Sequence, residues 1–211
     1  MKPKGDLLTY EREAIEGGFA RIAGVDEAGR GPLAGNVVAG AVVLPVGLTI
    51  DGLTDSKQLS EAQRERLFDV IHAVAVAVGV GEATPQEIDR LNILQATRLA
   101  MRRAVDALGD APGLLLIDGN KAIDWPGAQK TIVKGDAKSL SIAAASVIAK
   151  VTRDRQLYAM AEAYPAYGFD RHKGYPTRDH LAAIATHGPT PEHRMTFRGV
   201  RKDAPVQQGL I

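Results

Sequence analysis

The sequence predicts an α/β fold, and three stretches carry that prediction. Ile22–Val25 and Asn36–Leu44 are apolar, valine-rich runs parted by a short glycine turn, which reads as a β-hairpin. Thr84-Pro85-Gln86-Glu87 opens a long helical stripe, with Thr as N-cap, Pro at the first helical position and Glu closing the cap. Leu114–Ile117 follows that stripe as an unbroken apolar run, the pattern of a strand covered on both faces. A strand after a long helix reads as a parallel crossover. Hairpin strands first, then helix and strand again, place the chain in the α/β class; patterning alone goes no further.

The elements then come in order. Leu7–Glu16 reads as a short peripheral helix ending near Gly17-Gly18. After the hairpin, residues 45–58 form a loop. Ser60 with Gln63 makes a capping box, and Leu67, Val70 and Ile71 continue it as a helix. Ala73–Val80 alternates alanine and valine, which predicts a buried strand of small residues. The helix opened at Thr84 runs on through Ile88, Leu91, Leu94, Met101, Val105 and Leu108 to Gly109 and Pro112. Gln129–Val133 reads as another strand. Ala137–Tyr164 reads as a long helix closed by Pro165, its first half small and apolar enough to lie tightly on a sheet. Thr177 starts a last short helix, which Gly188-Pro189 ends. The expected division is 1–164 as the main body, 165–198 as a small C-terminal helical extension of the same domain, and 199–211 as a flexible tail.

Composition bounds the function. The chain has 211 residues, 45% of them hydrophobic, which suits one domain with a substantial core. It contains no cysteine, so disulfides, thiolate metal sites and thiol nucleophiles are excluded. Met1–Leu8 has no apolar core of signal-peptide length and no run approaches a membrane span, so the expected location is cytoplasmic, with no membrane contact. The net charge is +1, so nucleic-acid binding has to rest on a local basic face.

The first strand ends in Asp26-Glu27-Ala28-Gly29-Arg30-Gly31-Pro32. Two adjacent carboxylates at the end of a central strand need a cation or a raised pKa. A divalent metal with oxygen ligands meets that need. Gly29 and Gly31 let backbone approach a ligand closely, with Arg30 between them. The combination points to metal-assisted chemistry on a phosphodiester. Neighbours on a regular strand point to opposite faces, so Asp26 and Glu27 reach one site only if the strand frays at Ala28-Gly29. Asp118, ending the Leu114–Ile117 run before a Gly-Asn turn, is a turn aspartate by itself and a third ligand beside the first pair. Asp136 sits near the start of a helix, where the dipole favours any carboxylate. Asp154 competes with it, yet four-residue spacing to Lys150 predicts an ion pair. A dinucleotide-binding loop is a rival reading of Gly29, Gly31 and Gly35, but the spacing carries an extra residue.

Asp26-Glu27-Ala28-Gly29-Arg30-Gly31-Pro32-Leu33-Ala34-Gly35 resembles the signature of bacterial ribonuclease HII. The resemblance recurs in order at Asp55-Ser56-Lys57, Ile117-Asp118-Gly119, Lys134-Gly135-Asp136, the run from Ala144 to Asp154, and His172-Lys173-Gly174-Tyr175, so it spans roughly residues 20–198. Pro191–Phe197 is similar to the family's closing motif, for which sequence reasoning supplies no role.

The resemblance implies a fold, a set of residue roles and a substrate. The implied fold is a ribonuclease H-like mixed five-stranded sheet flanked by helices. By the same resemblance, Asp26, Glu27, Asp118 and Asp136 hold Mn2+ or Mg2+, with Asp136 as the fourth acid. Ser56 and Lys57 contact the substrate, the lysine at a backbone phosphate. Gly29, Arg30 and Gly31 sense a ribose 2′-hydroxyl through backbone groups, and Tyr175 stacks on sugar. The implied substrates are RNA/DNA hybrids and duplex DNA carrying single ribonucleotides, cut by two-metal hydrolysis to leave 5′-phosphate and 3′-hydroxyl ends. The chain is expected to act as a monomer. Its last residues, Gln207–Ile211, loosely resemble sliding-clamp-binding peptides and imply a weak clamp contact. Two other classes stay open: a non-catalytic nucleic-acid-binding module of the same fold, and a nucleotide-cofactor enzyme using the glycine turn.

Overall fold

The computed structural model describes residues 6–53, 56 and 59–201. Lys57 and the clamp-like tail lie outside them. The hairpin forms as expected: β1 (Ile22–Ala28) pairs antiparallel with β2 (Val37–Val43), which pairs antiparallel with β3 (Ala77–Ala83). On the other side β1 runs parallel to β4 (Leu114–Asp118), and β4 parallel to β5 (Ala128–Ile132). The sheet therefore reads β3-β2-β1-β4-β5, with β1 at its centre.

Two helices cover the two faces of this sheet, and glycines set how close they come. A Cβ on Gly24 of β1 would lie 2.1 Å from the Ser141 backbone, and one on Gly40 of β2 would lie 2.5 Å from the Ala145 carbonyl. Both partners belong to α5 (Leu140–Ala163), whose alanine-rich first half is buried. On the opposite face, Gly79 and Gly81 of β3 admit the backbone of Ala104 and Ala100 in α4 (Ile93–Asp106). Alternate residues sort accordingly. Ala23, Val25, Leu115 and Ile117 share the core with α4, while Ile22, Leu114 and Leu116 pack with Ile142 of α5.

α1 (Thr9–Glu16) and the last helix, Arg178–His187, match their sequence signals closely. Two readings need correction. Ala73 and Val74 belong to α2 (Glu61–Val74), and the strand starts at Ala77. The capping box at Ser60 and Gln63 launches a helix whose apolar stripe continues through Val74, and small residues do not by themselves say where a helix stops. The stripe after Thr84 is two helices, α3 (Pro85–Leu91) and α4. Asn92 breaks it with φ 70° while its side chain accepts the Gln95 N–H, an N-cap that tolerates the left-handed region. Both halves face the same core, so periodicity carries across the break. α5 begins at Leu140 behind the Ser139 cap, and a single 3-10 turn, Gly135–Ala137, precedes it.

Candidate active site

Register brings the first acids together. Val25 lies opposite Ile117 in the parallel β1–β4 pair, so Asp26 and Asp118 take the next step on neighbouring strands. Parity puts both on the α5 face. Glu27 points to the α4 face and lines a cleft there with Thr97, Arg98 and Asp118. The strand does not fray at this point: β1 stays paired with β2 through Ala28 opposite Val38. Because β4 ends at Asp118 while β1 continues, Glu27 stands clear of the sheet edge and borders the Asp26 side as well. The 3-10 turn before α5 supplies the fourth acid. Lys134 adopts φ 57° there, the Gly135 N–H donates to Asp118 Oδ1 at 2.6 Å, and the buried Asp136 follows at once.

The electrostatics follow from this proximity. Burial pushes the Asp26 carboxyl well above the usual range, and Glu27, Asp118 and Asp136 each add repulsion in the same direction. The Glu27 N–H, donating at 2.7 Å, opposes them. Asp154 lies four residues after Lys150 on α5. It sits between cations, 2.7 Å from Lys150 and 3.9 Å from Arg64.

Hard oxygen donors crowded until they repel are the donor set that Mg2+ or Mn2+ takes. The four acids therefore fit a divalent cation by chemistry. Among the described residues, no three acidic or histidine side chains already stand in metal-holding geometry. Oxygens of Asp26, Asp118 and Glu27 are turned instead toward protein donors, the last toward Arg30 at 3.2 Å.

A cleft of about 220 Å³ opens beside Asp26, lined by Gly29, Arg30, Gly31, Ser56, Lys150 and Tyr175. Gly29 needs its φ of 94°, and a Cβ there would meet Arg153 at 2.0 Å. Tyr175 is 47% exposed, and its ring edge lies 3.5 Å from where a Gly31 Cβ would stand. Ser56 is buried, its hydroxyl 2.5 Å from that of Ser146. Tyr175 borders this cleft, while the nearby Tyr167 and Phe169 are buried and stacked on each other.

Sequence reasoning missed two arginines. Arg153 is buried and donates to the carbonyls of Ala34, Asn36 and Lys173, tying the glycine turn to the turn before Tyr175. Arg194 is buried in the closing motif and donates to the carbonyls of Gly29, Arg30, Pro32 and Gly35. Both occur in motifs already noted. Yet an arginine whose hydrogen bonds go to backbone carbonyls leaves no hydrogen-bonded side-chain partner for the sequence to reveal.

Comparison with known proteins bears on the family and the fold. A family model described as Ribonuclease HII matches residues 23–200. The ribonuclease HII of Geobacter sp. (strain M21) is 59% identical over 96% of this chain and 88% of its own. That of Geobacter sulfurreducens is 55% identical over 95% of this chain and 93% of its own. Among solved structures, ribonuclease H2 from Pyrococcus horikoshii superposes with a TM-score of 0.72 at 31% identity, covering 86% of this chain and 96% of that one. The RNase HII in a PCNA complex from Archaeoglobus fulgidus, 24% identical with a TM-score of 0.70 over 90% and 98% of the two chains, shares the fold. The chain belongs to the ribonuclease HII family, whose members are metal-dependent endoribonucleases.

Proposed function

We propose that this enzyme, beyond cutting the RNA strand of RNA/DNA hybrids, nicks duplex DNA on the 5′ side of a single embedded ribonucleotide and leaves 5′-phosphate and 3′-hydroxyl ends. The observation that carries the reading is the buried Asp26, destabilised by three further carboxylates at a strand edge that opens onto a cleft. Divalent cations bound there supply Lewis-acid stabilisation of the attacking and leaving oxygens.

The chain's own residues do the rest. Asp26, Glu27, Asp118 and Asp136 supply the negative charge that holds the cations and fix where they sit. Arg30 and Lys150 line the cleft wall and offset phosphate charge that would otherwise repel the acids. The amides of the Gly29–Gly31 turn face a ribose, and Tyr175 stacks on the adjoining sugar, which allows a junction with DNA to be read. Lys57 is proposed as a further phosphate contact, and the tail as a weak sliding-clamp contact; both rest on the sequence alone.

The test is a duplex holding one ribonucleotide, incubated with Mg2+, Mn2+ or EDTA. Metal-dependent nicking 5′ to the ribonucleotide is expected. Binding without nicking would replace the reading with a non-catalytic module, and neither binding nor nicking would remove it.

A further inference from the structure

Residues 190–194 hold both walls of the cleft that the proposed function assigns to ribose. On one side, Arg194 spends its donors on four carbonyls of the glycine turn, at 2.6–3.0 Å. Burial away from any hydrogen-bonded carboxylate pushes its guanidinium down to about 9. This costly placement has a geometric result. In a planar trans peptide, C=O and N–H point opposite ways. Drawing the Gly29 and Arg30 carbonyls inward therefore turns the N–H groups of Arg30 and Gly31 outward, away from Arg194.

On the other side, His193 reaches Tyr175 through His180. The Thr190 N–H donates to His193 Nδ1 at 2.9 Å, so the proton of a neutral His193 sits on Nε2. His193 Nε2 lies 3.0 Å from His180 Nε2, which must then accept. His180 Nδ1 consequently carries a proton and donates to the Tyr175 carbonyl at 3.0 Å. The polarity of the chain is set end to end by one backbone amide, and a further proton on either ring would break it. The rings that face this pair are His172, stacked on His180, and Phe169 and Tyr167, with His187 beyond Tyr167. Burial lowers the pKa of both His180 and His193, which keeps the pair neutral.

We propose that His193 and Arg194 are positioning residues which together set the spacing between the Gly29–Gly31 amides and the Tyr175 ring, and through it the preference for a ribonucleotide embedded in DNA. The inference rests on the proposed function, because it assumes that this cleft reads ribose.

The experiment measures, on the full-length protein, the ratio of cleavage of a single embedded ribonucleotide to cleavage of a continuous hybrid. His193→Asn keeps the cap on Thr190 but falls short of His180, and is expected to lower the ratio by about tenfold. His193→Gln keeps a donor at reach and restores it. Because His193 acts through Tyr175, adding His193→Asn to Tyr175→Ala changes the ratio no further, whereas a merely structural loss adds. Arg194→Lys keeps the charge but does not span four carbonyls, and it lowers the ratio in the Tyr175→Ala background too. Should His193→Asn not fold, His180→Asn and His180→Leu repeat the test from the other end, since only the first keeps a donor for Tyr175. An unchanged ratio in a folded His193→Asn, or additivity with Tyr175→Ala, overturns the inference. Failure of the unmodified enzyme to nick either substrate with metal overturns the functional reading instead.

Discussion

Removing the charge of Asp26 is expected to stabilise the metal-free protein while abolishing cleavage. The carboxyl is buried among like charges, so Asp26→Asn relieves repulsion that a bound cation would otherwise offset. In a domain of this size each kcal/mol relieved raises Tm by about 2–4 °C. Melts in EDTA and in Mn2+ check it: the variant melts higher in EDTA and loses the gain that Mn2+ gives the unmodified protein. A second residue-scale effect concerns pH. Burial, then the facing His180, pushes His193 down to about 4, against about 6.5 in an unfolded chain. Between those values the unfolded state binds the extra proton, so stability is full above about pH 6.5 and is lost as pH falls toward 4. The loss is on the order of 3 kcal/mol, and His193→Gln is expected to flatten it, as urea midpoints at pH 7 and pH 5 would show.

Helix α5 is the element on which the site depends. The 3-10 turn leading into it holds Asp136, and its small residues let it lie on Gly24 and Gly40. Gly24→Ala puts a methyl within 2.1 Å of the Ser141 backbone, so the helix has to move. A loss of about 1–3 kcal/mol is expected, together with a rise in the metal concentration needed for cleavage. Gly113→Ala, whose Cβ would meet the Phe19 ring at 3.4 Å, serves as the control and is expected to stay near the unmodified protein. The element scale is also where the sequence was most legible. Caps at Ser60, Thr84 and Thr177 are local chemistry, and all three bond as their spacing requires. The break at Asn92 was not legible, because a positive φ leaves no mark on hydrophobic periodicity when both flanking helices face one core.

At the scale of the whole molecule, nucleic acid spans more than the acids. Deleting residues 204–211 is expected to leave cleavage of short duplexes unchanged, since the matched family region ends at residue 200. The same deletion is expected to weaken binding to a sliding clamp; unchanged clamp affinity in a titration would end that proposal. By itself the sequence determined the α/β class, most of the elements and the strand-end position of Asp118, because caps and turns depend on neighbouring residues; Asp26, read as a strand end, instead lies within β1, which runs on to Ala28. It also showed Asp154 paired with Lys150, a contact within one helix. Only the tertiary structure decided that Asp26, Asp118 and Asp136 meet, since that depends on the β1–β4 register and the docking of α5. It alone explained the closing motif, because Arg194 bonds to carbonyls about 160 positions away, and backbone acceptors are the same at every residue.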